Sequence, residues 1–431
     1  MSIRVVITGL GIISSIGIGK DEFWMNSLAG KSGGKKLDYP WMNGNVFYTH
    51  IGAPVTNFNP IDFSILDKEI SIIDKVSAFA LAAAYMALLD AGLRPMLYDA
   101  KKSFNRIEGI DPERLAVVVG SGIGGLTTTE ISHGQWKMNA SRKGVKRYSL
   151  PMLIPNAPAA QVAMKYQAKA ECKAISTACA AGTMAIGDAY KLIKAGEADY
   201  ALAGGAEAAL SDNDGYGLMG FDLLSTMSTR NDDPEHASRP FDKNRDGFVL
   251  SEGASILVLE RLENALARGT GIYAEIIGYE TNCDAYSMMM LEPNASQIIR
   301  LMKNLIGRNG VSIDDIDYIN AHGTSTVLND KIETLAIKEV FGKKAHDLIV
   351  TSTKSMTGHA IAASGAIEAA STALTIKHGK IPPTINYETP DPECDLNYLP
   401  NRAADKEVRV ALSNSYGFGG HNASLLIKKF E

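Results

Sequence analysis

The chain has 431 residues, 45% of them hydrophobic and 21% charged, which is typical of a globular protein that can bury a large core. Its formal net charge of −5 argues against a nucleic-acid-binding protein, and no window approaches the roughly 18 apolar residues of a membrane-spanning helix. The N-terminus lacks the pattern of a signal peptide and the four cysteines are scattered, so we expect a cytoplasmic protein with free thiols.

Short β-rich runs alternate with longer Ala-rich helical runs along the chain, which indicates a layered α/β fold. For the first half we predict strands at 5–8, 116–120, 173–175, 200–203 and 255–259, and helices at 75–91, 159–166, 182–195 and 262–269. For the second half we predict strands at 272–279, 316–320, 348–351, 408–412 and 423–427, and helices at 296–308, 331–340 and 362–377. The similar element counts suggest an internal duplication, although no repeat is visible residue by residue.

Two long segments have no regular pattern. Residues 211–245 are polar and rich in turn formers, as in segments that serve a site or an interface, and we expect residues 31–59 to form a surface excursion. The glycine-rich runs at 9–11 and 120–125 lack the third glycine or the lysine of nucleotide-binding loops. We interpret both runs as tight turns where backbones pack closely.

Cys179 lies among very small residues and directly precedes an apolar run with helical spacing. Small neighbours let a substrate approach the sulfur, and a helix N-terminus favours a thiolate through its unpaired N–H groups and dipole. A buried structural cysteine is the alternative, because free cysteine is among the most buried residue types. The local sequence leaves both interpretations open.

Three further polar, glycine-flanked clusters follow predicted strands, where α/β folds place their sites. They are residues 320–330 with His322, residues 353–359 with His359, and residues 413–422. A lone histidine is more often structural than catalytic, but two histidines and a cysteine in such turns favour a shared site. Zinc binding fits less well, since structural zinc sites draw closely spaced ligand pairs and each candidate here stands alone. A thiolate with imidazole donors and glycine-rich turns predicts cysteine-dependent acyl transfer.

The motifs together resemble the signature set of β-ketoacyl-acyl-carrier-protein synthases, in the right order and across essentially the whole chain. The matching segments are TAC at 177–179, HGTST at 322–326, KSMTGH at 354–359 and NSYGFGG at 414–420, with a further stretch at 239–249. The elongating type II enzymes, which use Cys-His-His, are the most similar group. Initiating synthases use Cys-His-Asn, thiolases carry a second cysteine near the C-terminus, and chain-length-factor subunits lack the nucleophile. Cys179 therefore argues against a non-catalytic, chain-length-type scaffold subunit.

This resemblance implies a thiolase-like α/β fold with two pseudo-symmetric halves in a five-layered α-β-α-β-α arrangement. The N-terminal half, 1–270, would carry Cys179, and the C-terminal half, 271–431, would carry the other catalytic residues. A homodimer, or a heterodimer with a chain-length-factor-like subunit, would act on an acyl carrier protein. Neither a metal nor a resident cofactor is implied, since the carrier brings the phosphopantetheine arm. Fatty-acid elongation, a type II polyketide or polyene ketosynthase subunit, and a thiol acylhydrolase stay open.

The resemblance also implies a role for each site residue. Cys179 would take the acyl chain, which then grows by decarboxylative Claisen condensation with a malonyl-carrier. His322 and His359 would hydrogen-bond the malonyl thioester oxygen, and the backbone N–H groups of Cys179 and Phe418 would form the oxyanion hole. Phe418 would also act as a gate. Lys354 would complete the catalytic set by organising the histidines. The supporting residues would be its ion-pair partner Glu368, and Asn414, Thr324 and Thr326, which order the gate and the pantetheine arm.

Two regions depart from the family pattern. The loop 282–290 has Ser287 where relatives carry a histidine, and we expect this loop to move with Phe418. Relatives place basic residues before the helix that here begins near residue 75, whereas residues 66–74 are acidic and apolar. The remaining candidates for docking an acidic carrier are Lys143, Lys146 and Arg147.

Overall fold

The computed structural model describes residues 3–42, 46–211, 213 and 215–431. Within these ranges the main sheet is built from ten strands, with the two-residue strand Gly17–Ile18 paired beside the first. They are β1 (Val5–Ser14), β2 (Leu115–Gly120), β3 (Cys172–Ile175), β4 (Tyr200–Glu207), β5 (Gly253–Arg261), β6 (Ala274–Cys283), β7 (Tyr318–Asn320), β8 (Ile349–Thr351), β9 (Val410–Gly417) and β10 (His421–Lys428).

Most of the longer helices follow the predicted helical runs closely. They are α1 (Lys20–Leu28), α2 (Lys75–Asp90), α3 (Leu126–Asn139), α4 (Ala157–Tyr166), α5 (Ala181–Lys194), α6 (Ser296–Arg308), α7 (Val327–Phe341) and α8 (Ser364–His378). Shorter helices lie at Asp67–Ile70, Ser149–Leu153, Tyr216–Asp222, Leu262–Arg268 and Lys354–Thr357, and paired short strands at Lys35–Lys36 and Ile51–Gly52, Pro95–Asp99 and Phe104–Ile107, and Lys380–Ile381 and Ala404–Asp405. In the part of the chain that the structure describes, no helix is long and apolar enough to cross a membrane.

The sheet consists of two halves with the same topology. Its order is β8-β7-β9-β10-β6-β1-β5-β4-β2-β3, and each half has two parallel pairs followed by two antiparallel pairs. A short antiparallel pairing of β1 with β6, from Val5–Ile276 to Ile7–Ala274, joins the halves. The internal duplication is therefore confirmed at the level of topology. The boundary between residues 270 and 271 stays a prediction.

The helices complete the five expected layers. α2 covers the outer face of β1 and β5, and α6 covers the outer face of β6 and β10. Between the two half-sheets lie α5 and α8, and the buried residues of α8 run from Ser364 to Ile376. A helix buried on all sides needs small or apolar residues all round, which explains its Ala-rich sequence. This central layer positions the site, because both helices begin at it.

The glycine-rich run at residues 9–11 lies within β1, so the predicted turn is wrong there, whereas the predicted close backbone packing is confirmed. A Cβ on Gly9 or Gly11 would collide with a backbone carbonyl oxygen of α2, from Ala87 or Ala83 respectively. The two glycines therefore let β1 and α2 approach each other closely.

Two further expectations about the chain are wrong. The described part of the segment 31–59, which excludes residues 43–45, is not a surface excursion, since Leu37, Ile51 and Ala53 are buried and the Gly33 N–H donates to the Met356 carbonyl oxygen at 2.8 Å. The predicted turn after residue 412 is strand as far as Gly417, because its serines lie in the protein interior and pair with β10. The predictions also missed α1, α3 and the hairpin Pro95–Asp99 and Phe104–Ile107. These elements have polar or mixed sequences without a clear hydrophobic period, and tertiary packing rather than local pattern stabilises them.

Candidate active site

Cys179 lies in a single 3₁₀ turn, Ala178–Ala180, that follows β3 and leads directly into α5. Its side chain is buried, with 6% of the residue exposed. The predicted position at a helix N-terminus is confirmed. The sulfur faces a cavity of about 290 Å³ that also receives His322, His359 and Phe418.

His359 is the nearest side chain to the sulfur. Its Nε2 lies 3.1 Å from Cys179 Sγ, and its Nδ1 lies 2.9 Å from the hydroxyl oxygen of Ser364. Its backbone N–H donates to the Val249 carbonyl oxygen at 2.8 Å, and its ring is nearly perpendicular to the Phe248 ring, with the centroids 5.4 Å apart. The imidazole is therefore held through its backbone, by the Phe248 ring and at its far nitrogen.

His322 follows β7, and a carboxylate holds its backbone. Glu333, on α7, accepts the His322 N–H at 2.9 Å and the Gly323 N–H at 2.8 Å. The His322 ring lies 5.5 Å from the His359 ring, centroid to centroid, so the two imidazoles face the same cavity.

Lys354 and Glu368 form a fully buried ion pair beside His322. Lys354 Nζ also donates to the His322 carbonyl oxygen at 2.8 Å and lies 3.3 Å from His322 Nδ1. An ammonium group only donates, so Nδ1 is the acceptor and the proton of the neutral ring lies on Nε2, toward the cavity. The pairing expected from the sequence is present.

Burial and charge keep both imidazoles neutral. Burial, followed by the positive charge of Lys354, lowers the pKa of His322 and of His359 well below the ordinary value. Neutral imidazoles can donate from Nε2 without placing another positive charge beside Lys354. This suits hydrogen bonding to an oxygen that becomes negative.

The expectation of a Cys179 thiolate is wrong for the free protein. Burial raises the pKa of the Cys179 thiol to about 12, which outweighs the lowering by Lys354 and by the two N–H groups at the sulfur. A helix N-terminus lowers a thiol pKa most where water still reaches the sulfur. The resting residue is a thiol at neutral pH.

The backbone N–H groups of Phe418 and of Cys179 itself lie near the sulfur, and both lower the pKa of its thiol. Gly417 allows this approach, since a Cβ there would lie 2.8 Å from the Thr177 carbonyl oxygen and 3.2 Å from the Cys179 nitrogen. Gly419 and Gly420 have φ values of +83° and +77°, which favour glycine. The GFGG turn thus brings one N–H to the sulfur while the Phe418 ring lies half-buried at the cavity.

The loop 282–290 is hydrogen-bonded to the Phe418 turn. The Gly419 N–H donates to the Met288 carbonyl oxygen at 2.8 Å, and the Asp284 N–H donates to the Gly420 carbonyl oxygen at 2.9 Å. The Ser287 hydroxyl oxygen accepts the N–H groups of Met289 and Met290, both of which line the cavity. These bonds link the loop to Phe418, while a joint movement stays a prediction.

The other predicted site residues divide into two groups. Thr324 and Thr326 line the cavity with their hydroxyl oxygens 2.9 Å apart. Asn414 does not reach the gate: its side chain accepts from Ser424 Oγ at 2.7 Å and lies 3.8 Å from the sulfur of Met302 on α6. Alternate residues of a strand face opposite sides, so Asn414 points to the outer helices. The correction is that Asn414 supports the β9–β10 hairpin from outside.

The docking candidates lie apart from the cavity, in the segment after α3. Lys143 and Arg147 are exposed and Lys146 is half-buried. Their role toward a carrier stays a prediction.

Sequence reasoning missed three residues that hold the site: Glu333, Ser364 and Glu207. Glu207 ends β4 and accepts the Gly122 N–H at 2.8 Å, close to the sulfur's turn. Burial raises the pKa of Glu207 and of Glu333 to about 7. The sequence did contain a signal for Glu207, because a single acidic residue at the end of an apolar strand indicates a buried carboxyl group with a specific role. In the described ranges, no three His, Cys, Asp or Glu side chains are placed to hold a metal ion.

Known proteins resemble this chain over its full length. The family described as "Beta-ketoacyl synthase, N-terminal domain" matches residues 2–265, and "Beta-ketoacyl synthase, C-terminal domain" matches residues 273–388. A 3-oxoacyl-[acyl-carrier-protein] synthase 2 of Staphylococcus aureus is 44% identical over 100% of this chain and 99% of its own length. The enzyme of the same name from Synechocystis sp. is 42% identical over 99% of this chain and 98% of its own length.

Solved structures agree with the sequence relatives. A β-ketoacyl synthase from Burkholderia phymatum superposes with a TM-score of 0.89 at 34% identity, covering all of both chains. The ishigamide ketosynthase/chain length factor superposes with a TM-score of 0.88 at 33% identity, again over all of both chains. These full-length likenesses confirm the thiolase-like fold, and the chain belongs to the β-ketoacyl synthase family.

Proposed function

We propose that this protein is a 3-oxoacyl-[acyl-carrier-protein] synthase, an acyltransferase that extends an acyl chain held on Cys179 by decarboxylative condensation with a malonyl-carrier. The observation that carries the proposal is the convergence of Cys179, His322 and His359 on one cavity, with the Phe418 N–H at the sulfur. The identity of 44% over the full chain to 3-oxoacyl-[acyl-carrier-protein] synthase 2 supports fatty-acid elongation over a polyketide or polyene pathway.

In the first step Cys179 attacks the thioester of an acyl-carrier. The new bond joins Sγ to the acyl carbonyl carbon, the carrier thiolate leaves, and the Cys179 proton ends on the carrier thiol. The N–H groups of Cys179 and Phe418, both close to the sulfur, would donate to the carbonyl oxygen of the tetrahedral intermediate as it becomes negative. Two preorganised donors at this oxygen lower the barrier without reorganising water.

In the second step malonyl-carrier loses carbon dioxide, and the electron pair of the broken bond moves into the thioester carbonyl to form an enolate. His322 and His359 would donate their Nε2 protons to the enolate oxygen. Lys354 organises this pair, because its ammonium occupies the His322 Nδ1 lone pair. The ion pair with Glu368 balances the buried charge.

In the third step the enolate carbon attacks the acyl-Cys179 carbonyl. The oxyanion again lies against the N–H groups of Cys179 and Phe418, and its collapse expels the Cys179 thiolate. Because burial raises the pKa of Cys179, the expelled sulfur takes up a proton from solvent and the thiol is restored. A 3-oxoacyl-carrier longer by two carbons leaves.

The acyl carrier protein is the proposed partner and phosphopantetheine carrier, so the reaction needs no resident cofactor or metal. A solved complex of a type II polyketide acyl-carrier protein with its ketosynthase, 34% identical to this chain, supports that partner. A homodimer is supported by β3, an outermost strand with exposed Cys172 and Lys173, since an open edge can pair with a second copy. We place the protein in the cytoplasm with its carrier.

The test combines pure protein, acyl-carrier and malonyl-carrier, followed by intact-mass analysis. We expect an acyl adduct on Cys179 and a two-carbon-extended product, with Cys172→Ala as a matched control that still forms both. Absence of the adduct overturns the catalytic proposal and favours a scaffold subunit. An adduct that hydrolyses without extension favours a thiol acylhydrolase, and extension only after addition of a chain-length-factor-like subunit favours the polyketide alternative.

A further inference from the structure

Ser364, the first residue of α8, contacts the far side of the His359 ring. It is buried, with 3% exposure, and its Oγ lies 2.9 Å from His359 Nδ1. The same Oγ accepts the Ala360 N–H at 2.9 Å. The hydroxyl therefore bridges the backbone of the histidine turn and the imidazole itself.

The donors and acceptors at the contact between Ser364 and His359 determine which tautomer His359 adopts. A serine hydroxyl has one proton and two lone pairs, and the Ala360 N–H uses one lone pair. Among the side chains and backbone that the structure describes, His359 Nδ1 is the acceptor within reach of the hydroxyl proton. A proton on Nδ1 would leave the buried O–H without an acceptor, which carries the full desolvation cost of that group. Nδ1 therefore accepts, and the ring proton lies on Nε2.

The tautomer of His359 determines how this histidine interacts with Cys179. With its proton on Nε2, His359 donates toward the sulfur 3.1 Å away and toward the cavity. In this state it has no free lone pair to take the Cys179 proton. His322 reaches the same tautomer by a different contact, since Lys354 occupies its Nδ1. Two different contacts, from Ser364 and from Lys354, thus leave each histidine with an N–H donor at Nε2.

We propose that Ser364 is a positioning residue that holds His359 as the Nε2–H tautomer, so that His359 acts as a hydrogen-bond donor and not as the base for Cys179. The role of His359 in malonyl decarboxylation rests on the proposed function. The tautomer of His359 does not rest on it, because the tautomer follows from contacts within the free protein.

The first measurement is the ¹⁵N-histidine NMR spectrum of the full-length protein without substrate, with His359 assigned by comparison with His359→Gln. We expect a pyridine-type Nδ1 and a pyrrole-type Nε2 for His359. Ser364→Ala should give a mixture of tautomers, and Ser364→Thr, which keeps the hydroxyl, should restore the original pattern. A wild-type spectrum with the proton on Nδ1 overturns the proposal, even if Ser364→Ala does not fold.

The second measurement is the rate of malonyl-carrier decarboxylation beside the rate of acyl transfer to Cys179. Ser364→Ala should slow decarboxylation on the order of tenfold and acyl transfer much less, as expected for one lost hydrogen bond at the donor. Ser371→Ala is the matched control, because Ser371 is buried on the same helix and its hydroxyl finds no hydrogen-bond partner among the residues that the structure describes. An unchanged decarboxylation rate in Ser364→Ala overturns the proposal. A wild-type protein that neither acylates nor extends contradicts the proposed function, while the NMR result still decides the tautomer.

Discussion

Glu333 holds His322 by its backbone: one carboxylate oxygen accepts the His322 N–H at 2.9 Å and the other accepts the Gly323 N–H at 2.8 Å. The carboxylate comes from α7 and is fully buried. It therefore sets the path of the chain just where β7 ends and the imidazole enters the cavity. The position of one donor of the proposed enolate site depends on an acid that itself lies outside the cavity.

Glu333→Gln tests this relationship. An amide presents one N–H₂ group where the carboxylate presents two acceptors, so one backbone N–H loses its partner. We expect condensation to slow on the order of tenfold. The steady-state rate of 3-oxoacyl product formation is the measurement, and Glu339→Gln, an exposed acid on the same helix, is the control. A normal rate in Glu333→Gln would show that the turn is held by other contacts.

The buried carboxyls predict a pH dependence of stability. Burial raises the pKa of Glu207 from 4.5 to about 7, so the folded state binds a proton more tightly than the unfolded state. Stability from this group is present below pH 4.5 and is lost as pH rises toward 7, by about 3 kcal/mol in the free energy of unfolding. Denaturant titrations across this range should show a shallower decline for Glu207→Gln than for the wild type. Parallel curves would contradict the raised pKa.

The thiol of Cys179 should react slowly at neutral pH. Because burial raises its pKa to about 12, the alkylation rate by iodoacetamide should rise about tenfold per pH unit between roughly pH 7 and 10, without a plateau. Peptide mapping separates Cys179 from the exposed Cys172 and Cys283. Lys354→Met should slow the reaction further, since the lysine charge lowers this pKa. A plateau near pH 8 would contradict the prediction.

Cys179 and His322 should separate the two half-reactions. Cys179→Ala removes the atom that forms the thioester, so acyl transfer should fall to background. His322→Ala removes a donor to the enolate oxygen and should mainly reduce decarboxylation and condensation, by roughly 10²-fold or more. Intact mass measures acyl transfer, and carbon dioxide release measures decarboxylation. Equal loss of acyl transfer in both variants would contradict this division of roles.

Gly417 should be intolerant of a side chain. A Cβ there meets the Thr177 carbonyl oxygen at 2.8 Å and would push the Phe418 N–H away from the sulfur. We expect Gly417→Ala to reduce acyl transfer by roughly 10²-fold, the cost of one oxyanion-hole donor. Gly307→Ala is the control, because nothing lies within 4 Å of its added Cβ. Normal acyl transfer in Gly417→Ala would remove Phe418 from the oxyanion hole.

Local pattern determined much of this protein from the sequence by itself. The order of strands and helices was readable because hydrophobic periodicity reports which face of each element is buried. Cys179, His322 and His359 were readable because each stands among small or glycine residues after a predicted strand, whereas Lys354 and Phe418 were assigned by the resemblance to β-ketoacyl synthases. Cys179, His322, His359 and Phe418 do meet at one cavity, and Lys354, which lies beside His322, does pair with Glu368.

Only the tertiary structure decided the protonation state of Cys179 and which residues hold the catalytic histidines in place. The sulfur and the nearest imidazole are 180 residues apart, and burial by such distant neighbours raises the pKa of Cys179 against the helix N-terminus. Strand register decided that Asn414 faces away from the gate, and helix packing brought Glu333 and Ser364 to the histidines. Desolvation and hydrogen bonding depend on residues remote in sequence, and no local pattern encodes them.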